Sequence, residues 1–420
     1  MSIRRILPLS LAAVALAAAP FAASAQSTSA APTIAGWSEF VESLRTLPDR
    51  MLAKLPEAQR SDPQMQQEVV RLALEAVASQ TLDAIGSDGD APQFMPSIGQ
   101  VLNIGQPNAD TIYRSATIAP GGTYRITGKQ GNVSLAVISQ NRPPTDPGQG
   151  APAFLNLASL KADAQGRFSV LVSAARPADY TGDWWKLEPG VAHLMVRMVS
   201  SDWDKEVEPT LAIERTDKPI GRPRPPAALL EQRLRALPRK VDFSALMFVD
   251  RVENAAKKGV LNKVEGFTAP YSALQGQFYY EGAYKLADDE ALILESPVPA
   301  KCDYRSIILT NAIYETTDWY NNHSSLNAAQ AAPDADGKLR FVISARDPGV
   351  KNWLDTAGYA MGMIQGRWTG CDSQPIPSVR LVKFKDVIAQ LPKGIAMVTP
   401  EQRQQILRER RRQLLERPLW

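Results

Sequence analysis

The chain has 420 residues, 44% hydrophobic and 22% charged, a globular composition long enough for two or three packed domains. Lys and Arg number 47 against 44 Asp and Glu, so no overall basic field is present and no nucleic-acid partner is expected. Two Cys and two His exclude a Cys-rich zinc module, a three-His metal site and a haem attachment motif.

In chain order, Met1–Ala25 reads as a secretory signal peptide. Arg4 and Arg5 supply the charged start, Leu7 to Phe21 an apolar run, and Ala23-Ser24-Ala25 the small-x-small cleavage pattern near Ala25. The run is shorter than the about 20 apolar residues of a membrane span. The Arg pair leaves a twin-arginine route open beside the general one. The expected location is the periplasm or the exterior. Cys302 and Cys371 would then meet oxidising conditions and form a disulfide, closing a loop of about 70 residues worth about 4 kcal/mol in the chain-entropy description. Two buried free thiols are the alternative.

Residues 26–100 form a helical segment behind a short Ser/Ala/Pro lead. Phe40, Val41, Leu44, Leu47 and Met51 recur at three-to-four spacing, and Val69 to Ile85 repeats the pattern after the start signal Asp62-Pro63. Gly86 to Asp90 ends it. Residues 101–216 change to short alternating strands, including Tyr124–Thr127, Val133–Ile138, Phe168–Val172 and Ala192–Val199, and predict a first β-sandwich. Residues 217–270 are a charged, Pro-rich linker followed by helix from Leu229 to about Lys258, broken at Pro238. Residues 271–392 return to strands and predict a second sandwich; residues 393–420 form a basic helical tail.

The two strand regions repeat one another. Asp163-Ala-Gln-Gly-Arg-Phe-Ser-Val-Leu-Val-Ser-Ala174 aligns with Asp334-Ala-Asp-Gly-Lys-Leu-Arg-Phe-Val-Ile-Ser-Ala345. Pro177, Trp185 and Gly190 then match Pro348, Trp353 and Gly358. A period near about 170 residues is a domain duplication, not a solenoid. The fold class expected is mainly β with flanking helices (α+β): two tandem antiparallel β-sandwich or jelly-roll domains from an internal duplication.

The stretch Asp336-Gly337, Val342-Ile-Ser344, Asp347-Pro-Gly349, Asn352-Trp-Leu-Asp-Thr-Ala-Gly358 and Arg367-Trp368 resembles the signature of the bacterial domain-of-unknown-function family 1214 (DUF1214). Ser324-Ser-Leu-Asn327 fits, as do Asn108-Ala-Asp110-Thr-Ile-Tyr113, Tyr124–Gly128, Pro189-Gly190 and Asp202–Glu206 in the first half. The resemblance covers most of residues 100–390 and implies a two-part, mostly antiparallel sandwich with no established activity. One position departs from the pattern: Tyr359 follows Gly358, where the family often has His.

The second copy carries the richer loop. Tyr314-Glu-Thr-Thr-Asp-Trp-Tyr-Asn-Asn-His-Ser-Ser325 stands where the first copy has the plain loop Asn141–Gly150. Candidate catalytic residues are His323 as base, Asp318 orienting it, Asn321 donating to an oxyanion, and Glu315. Trp319, Tyr320, Asn322, Trp353 and Asp355 are candidate ligand-binding residues. The alternative is a turn whose Asn and Ser side chains satisfy backbone groups. Glu281, Glu315, Asp318 and Asp355 form a weaker acid/base set, and Asp334 with Asp336 suits a hairpin turn better than calcium. No Gly-x-Ser-x-Gly elbow and no phosphate loop occur, so no cofactor is expected. The tail's arginines permit weak contact with an anionic membrane, although a docked helix fits as well.

Together these readings predict an exported, periplasmic enzyme of hydrolase or lyase type acting on a small organic or carbohydrate-like molecule. The alternatives are a non-catalytic module binding a glycan or aromatic ligand, and a structural envelope protein.

Overall fold

The computed structural model describes residues 34–143, 153–268, 274 and 276–418. The expected leader at 1–25 and most of the loop at 141–150 lie outside the described residues.

The N-terminal segment forms α1 (Trp37–Leu52), α2 (Glu57–Arg60) and α3 (Pro63–Gly86). Asp62 caps α3 by accepting from the Gln64 N–H, with Pro63 at the first helical position. The first half continues with β1 (Met95–Pro96), β2 (Thr111–Thr117), β3 (Tyr124–Lys129), β4 (Leu135–Asn141) and β5 (Phe154–Asn156). It ends with β6 (Arg167–Ser173), β7 (Asp183–Lys186), β8 (His193–Val199) and β9 (Thr210–Arg215). Helices α4 (Ala227–Leu246) and α5 (Arg251–Lys257) precede the second half. That half holds β10 (Glu265–Phe267), β11 (Gln277–Lys285), β12 (Glu290–Pro297), β13 (Tyr304–Leu309) and β14 (Ser325–Asn327). It closes with β15 (Lys338–Ser344), β16 (Trp353–Asp355), β17 (Met361–Thr369), β18 (Ser378–Lys383) and the tail helix α6 (Pro400–Glu416).

The first half stacks a sheet of order β1-β2-β8-β4-β5 on one of order β7-β6-β3-β9. The second stacks β10-β11-β17-β13-β14 on β16-β15-β12-β18. Every strand of one half has its counterpart nine labels later in the other, so the two halves are the same sandwich twice. The match extends to pairing sense: β6–β7 and β15–β16 are the parallel pairs, and the other named strand pairs are antiparallel. Ile126, Val170, Leu194 and Val196 fill the first core; Leu292, Phe341, Ile364 and Trp368 fill the second. Asp163 and Asp334 open the equivalent hairpin turns, and Asp334 and Asp336 both pair with Arg340.

Two helical stretches far apart in sequence form one layer. Leu47, Met51, Val69 and Leu72 of α1 and α3 pack on Leu237, Val241 and Ala245 of α4. The expected break at Pro238 is corrected: α4 runs through it. Leu237 and Val241 are buried on either side of the proline, and this packing offsets its missing backbone donor. No described helix is long and apolar enough to cross a membrane. Cys302 and Cys371 are disulfide-bonded.

Helix α6 is a strap across both sandwiches. A capping box of Thr399 and Gln402 starts it. Arg403 binds Asp347 and the Val350 carbonyl; Arg410 binds the Trp319 and Ser325 carbonyls. Arg417, just beyond the helix, reaches Glu208 and the Asp110 carbonyl of the first half. All three arginines are buried, and Arg412 pairs with Asp204, Glu409 and Glu416. Much of the tail's positive charge is therefore engaged within the protein.

Candidate functional site

The rich loop after β13 is packed shut. Glu315 is 1% exposed, bonded to Arg71 of α3 and to Asn311 Nδ2. Burial raises its pKa against the pull of Arg71. Asp318 accepts from the Tyr320 and Asn321 N–H groups and from Gln100 Nε2, an Asx turn. Asn321 is bonded to Asp318 and Arg411, and Asn322 Nδ2 to the Asp318 carbonyl. Trp319 and Tyr320 are buried beside a cavity of about 60 Å³, too small for a sugar ring.

His323 is 4% exposed and its Nδ1 lies 2.5 Å from the Trp353 carbonyl, to which it donates. Burial, then Arg410 and Arg403, push its pKa down to about 3, so it is neutral. The expectation that His323 is a general base oriented by Asp318 is corrected on this geometry. Its polar neighbours are a carbonyl and the Arg403 guanidinium, and no hydrogen bond joins it to Asp318 among the described residues. Trp353 donates to Ser344 under the Arg403 guanidinium. Asp355, pushed up to about 6 by burial, accepts from the Ala357 N–H. The polar groups of these residues are engaged with backbone groups, arginines and one another, and of the set Trp319 and Tyr320 line the small cavity.

A larger space lies between the two sandwiches, beneath α4 and α5. It is a chamber of about 550 Å³, within the range of small-molecule sites. Its walls follow from strand alternation. Leu194, Val196 and Met198 of β8 turn into the first core, which places Met195, Arg197 and Val199 on the chamber side. Ile364 and Trp368 of β17 turn into the second core, which places Gln365 and Arg367 on the chamber side.

The same rung occurs in both walls. Tyr113 stands opposite Arg197, which stands opposite Val137, with Asn156 next. Tyr279 stands opposite Arg367, which stands opposite Ser306, with Asn327 next. Each half thus presents one Tyr–Arg pair. Both pairs line the same chamber, and each arginine also feels the other half's tyrosine. Burial lowers the pKa of Arg197. Burial also acts against the Arg367 charge, but Tyr279, Tyr113, Tyr304 and Tyr314 outweigh it and the pKa is raised.

A polar cluster stands at one end of the chamber. Arg251 of α5 pairs with Glu281 of β11 at 2.6 Å. The Tyr314 hydroxyl donates to Glu281, and Gln365 Nε2 donates to both. Tyr314 holds φ 68°, a left-handed backbone rarely adopted by an aromatic residue. At the other end Tyr304 donates to the buried Asp110, which also accepts from Trp203 and Asn327 and so ties the halves together. The signal for this site was present in the sequence: an arginine at the same place in the matching strands β8 and β17.

No family matches the sequence, and no curated protein matches it. Among solved structures, an uncharacterised protein from Burkholderia cenocepacia is similar over 83% of this chain and 97% of its own, with 26% identity and a TM-score of 0.76. A structural-genomics protein from Vibrio parahaemolyticus aligns over 75% of this chain and 99% of its own, with 12% identity and a TM-score of 0.43. The Burkholderia protein shares the duplicated β architecture, and its description names no activity.

Proposed function

We propose that this protein is an exported binder of a small organic ligand, held in the chamber between its two sandwiches. The observation that carries the reading is the 550 Å³ cavity with one Tyr–Arg pair on each wall. Buried guanidinium groups are costly and are kept where they are used. The leader-like Met1–Ala25 pattern and the Cys302–Cys371 bond support a periplasmic or secreted location. The kinship with domain-of-unknown-function family 1214 belongs to the same proposal, since Asn108, Tyr113 and Arg367 are among the residues that carry it and they line the chamber. Hydrolase or lyase chemistry on the ligand would draw on chamber groups and not on His323.

A thermal-shift screen of the mature protein with sugars, aromatic acids and peptidoglycan fragments tests this. One class is expected to raise Tm by several degrees at millimolar concentration. Met195→Trp, which narrows the chamber, is expected to weaken that shift. A shift in no class, or one that Met195→Trp leaves unchanged, overturns the reading.

A further inference from the structure

The chamber contains hydrogen-bond donors that the protein itself leaves unused. Arg367 is 5% exposed, and its Nη1 is buried with no acceptor among the described residues. Gln106 is 4% exposed, and its Nε2 is likewise buried and unmatched. The two side chains are adjacent, with Arg367 Nη2 3.5 Å from Gln106 Oε1. A buried donor without a partner is costly, and two of them side by side in one cavity point to an acceptor that arrives with a ligand.

The backbone under Gln106 is held in an unusual form. Gly105 and Gln106 are both left-handed, with φ 66° and 61°, and Pro107 follows directly. A residue before proline is normally extended, so Gln106 is doubly restricted and is kept in place by its surroundings. A Cβ on Gly105 would stand 2.9 Å from the Phe248 ring, so glycine is required there. The turn fixes a single neutral carboxamide against the Arg367 guanidinium.

Resting on the chamber reading, we infer that the ligand is an organic carboxylate whose two oxygens sit on Arg367 Nη1 and Gln106 Nε2. A guanidinium beside an amide offers two N–H groups and one positive charge, which suits a monoanionic carboxylate. A phosphate dianion calls for more positive charge than this seat provides. Arg251, the other arginine of that end, is already neutralised by Glu281, and Arg197 stands on the opposite wall, bonded to Ser139. Met195, Val199, Leu274, Ile104 and Phe248 supply apolar surface elsewhere in the lining for the body of the ligand.

Calorimetric titration of the mature protein with acids and their own amides tests the inference: phenylacetate against phenylacetamide, hexanoate against hexanamide, and inorganic phosphate alone. At least one acid is expected to bind tenfold or more tightly than its amide. Arg367→Met is expected to reduce that acid to the level of the amide. Gln106→Glu supplies an internal counter-charge, so it is expected to raise the Tm of the ligand-free protein while abolishing acid binding and sparing the amide. Amides binding as well as acids, or phosphate binding better than either acid, overturns the carboxylate assignment and leaves the chamber reading standing. Binding of neither acid nor amide overturns the carboxylate assignment, and the chamber reading is then decided by the thermal-shift screen. Acid binding that survives Gln106→Glu in a folded variant overturns the seat.

Discussion

The two sandwiches share strand order, pairing register and the Tyr–Arg rung, yet they wall the chamber differently. Two residues along β2 and β8 from that rung, the first half has Ser115 and Met195. At the equivalent places in β11 and β17 the second half has Glu281 and Gln365. Leu135 of β4 likewise stands where β13 has Tyr304. Duplication supplied a matched pair of walls, and divergence gave one of them Glu281, Gln365 and Tyr304 where the other has Ser115, Met195 and Leu135. A ligand in such a space is expected to bind in one orientation, because the two walls offer its polar groups unequal partners.

The largest test of this comparison is to remove what joins the halves. Deleting residues 400–418 takes away Arg403, Arg410 and Arg417 and leaves the Trp319, Ser325 and Val350 carbonyls and Glu208 without these partners. The expected result is loss of the cooperative two-half transition in calorimetry; an unchanged melting profile would show that the strap is dispensable.

Equivalent substitutions in the two walls should then differ sharply. Glu281→Ala leaves Arg251 and Tyr314 without their shared acceptor and is expected to cost about 3 kcal/mol in urea unfolding. Ser115→Ala, at the matching place, is expected to cost less than about 0.5 kcal/mol. Equal costs would mean the polar wall is not specialised.

Smaller effects come from two titratable groups beside the rich loop of the second half. Burial, with Glu315 beside it, pushes Glu75 of α3 up to about 7. A raised carboxyl contributes stability that is complete below its ordinary pKa and is lost as pH rises through about 7. Glu75→Gln is therefore expected to stabilise the protein at pH 8 by about 1–2 kcal/mol and to change little at pH 4. The sign for His323 is opposite. Its lowered pKa means that its contribution is complete above about pH 6.5 and is lost as pH falls toward 3. His323→Gln is expected to lower the acid-unfolding midpoint, with little change in Tm at pH 7. A midpoint that stays fixed would remove His323 from the acid response.

The duplication was legible because the Asp-x-x-Gly turns and the alternating strands after them are local patterns. The helix start at Asp62-Pro63 was legible for the same reason. The bridge between Cys302 and Cys371 follows from their being the chain's two cysteines. The chamber was harder to read, because Tyr113, Arg197, Tyr279 and Arg367 come together only through strand register. The rich loop misled for a physical reason. Its Asp, Asn and His side chains look like surface chemistry, but they satisfy backbone groups and receive the arginines of α6. The uninterrupted course of α4 through Pro238 depends on packing against α1 and α3, which is absent from the local sequence.

The bridge of the second half also has a counterpart. Cys302 and Cys371 each lie two residues beyond the facing pair Tyr304 and Thr369. The matching corner of the first half, two residues beyond Leu135 and Val199, is Val133 and Ser201. There Ser134 and Ser201 share a hydrogen bond, and both also bond to Glu206. One corner is thus covalent and the other is not. A thiol reductant acts on the copy that bears Tyr304 and Arg367 and leaves its twin untouched, so the redox state of the surroundings is felt by only one wall of the cavity.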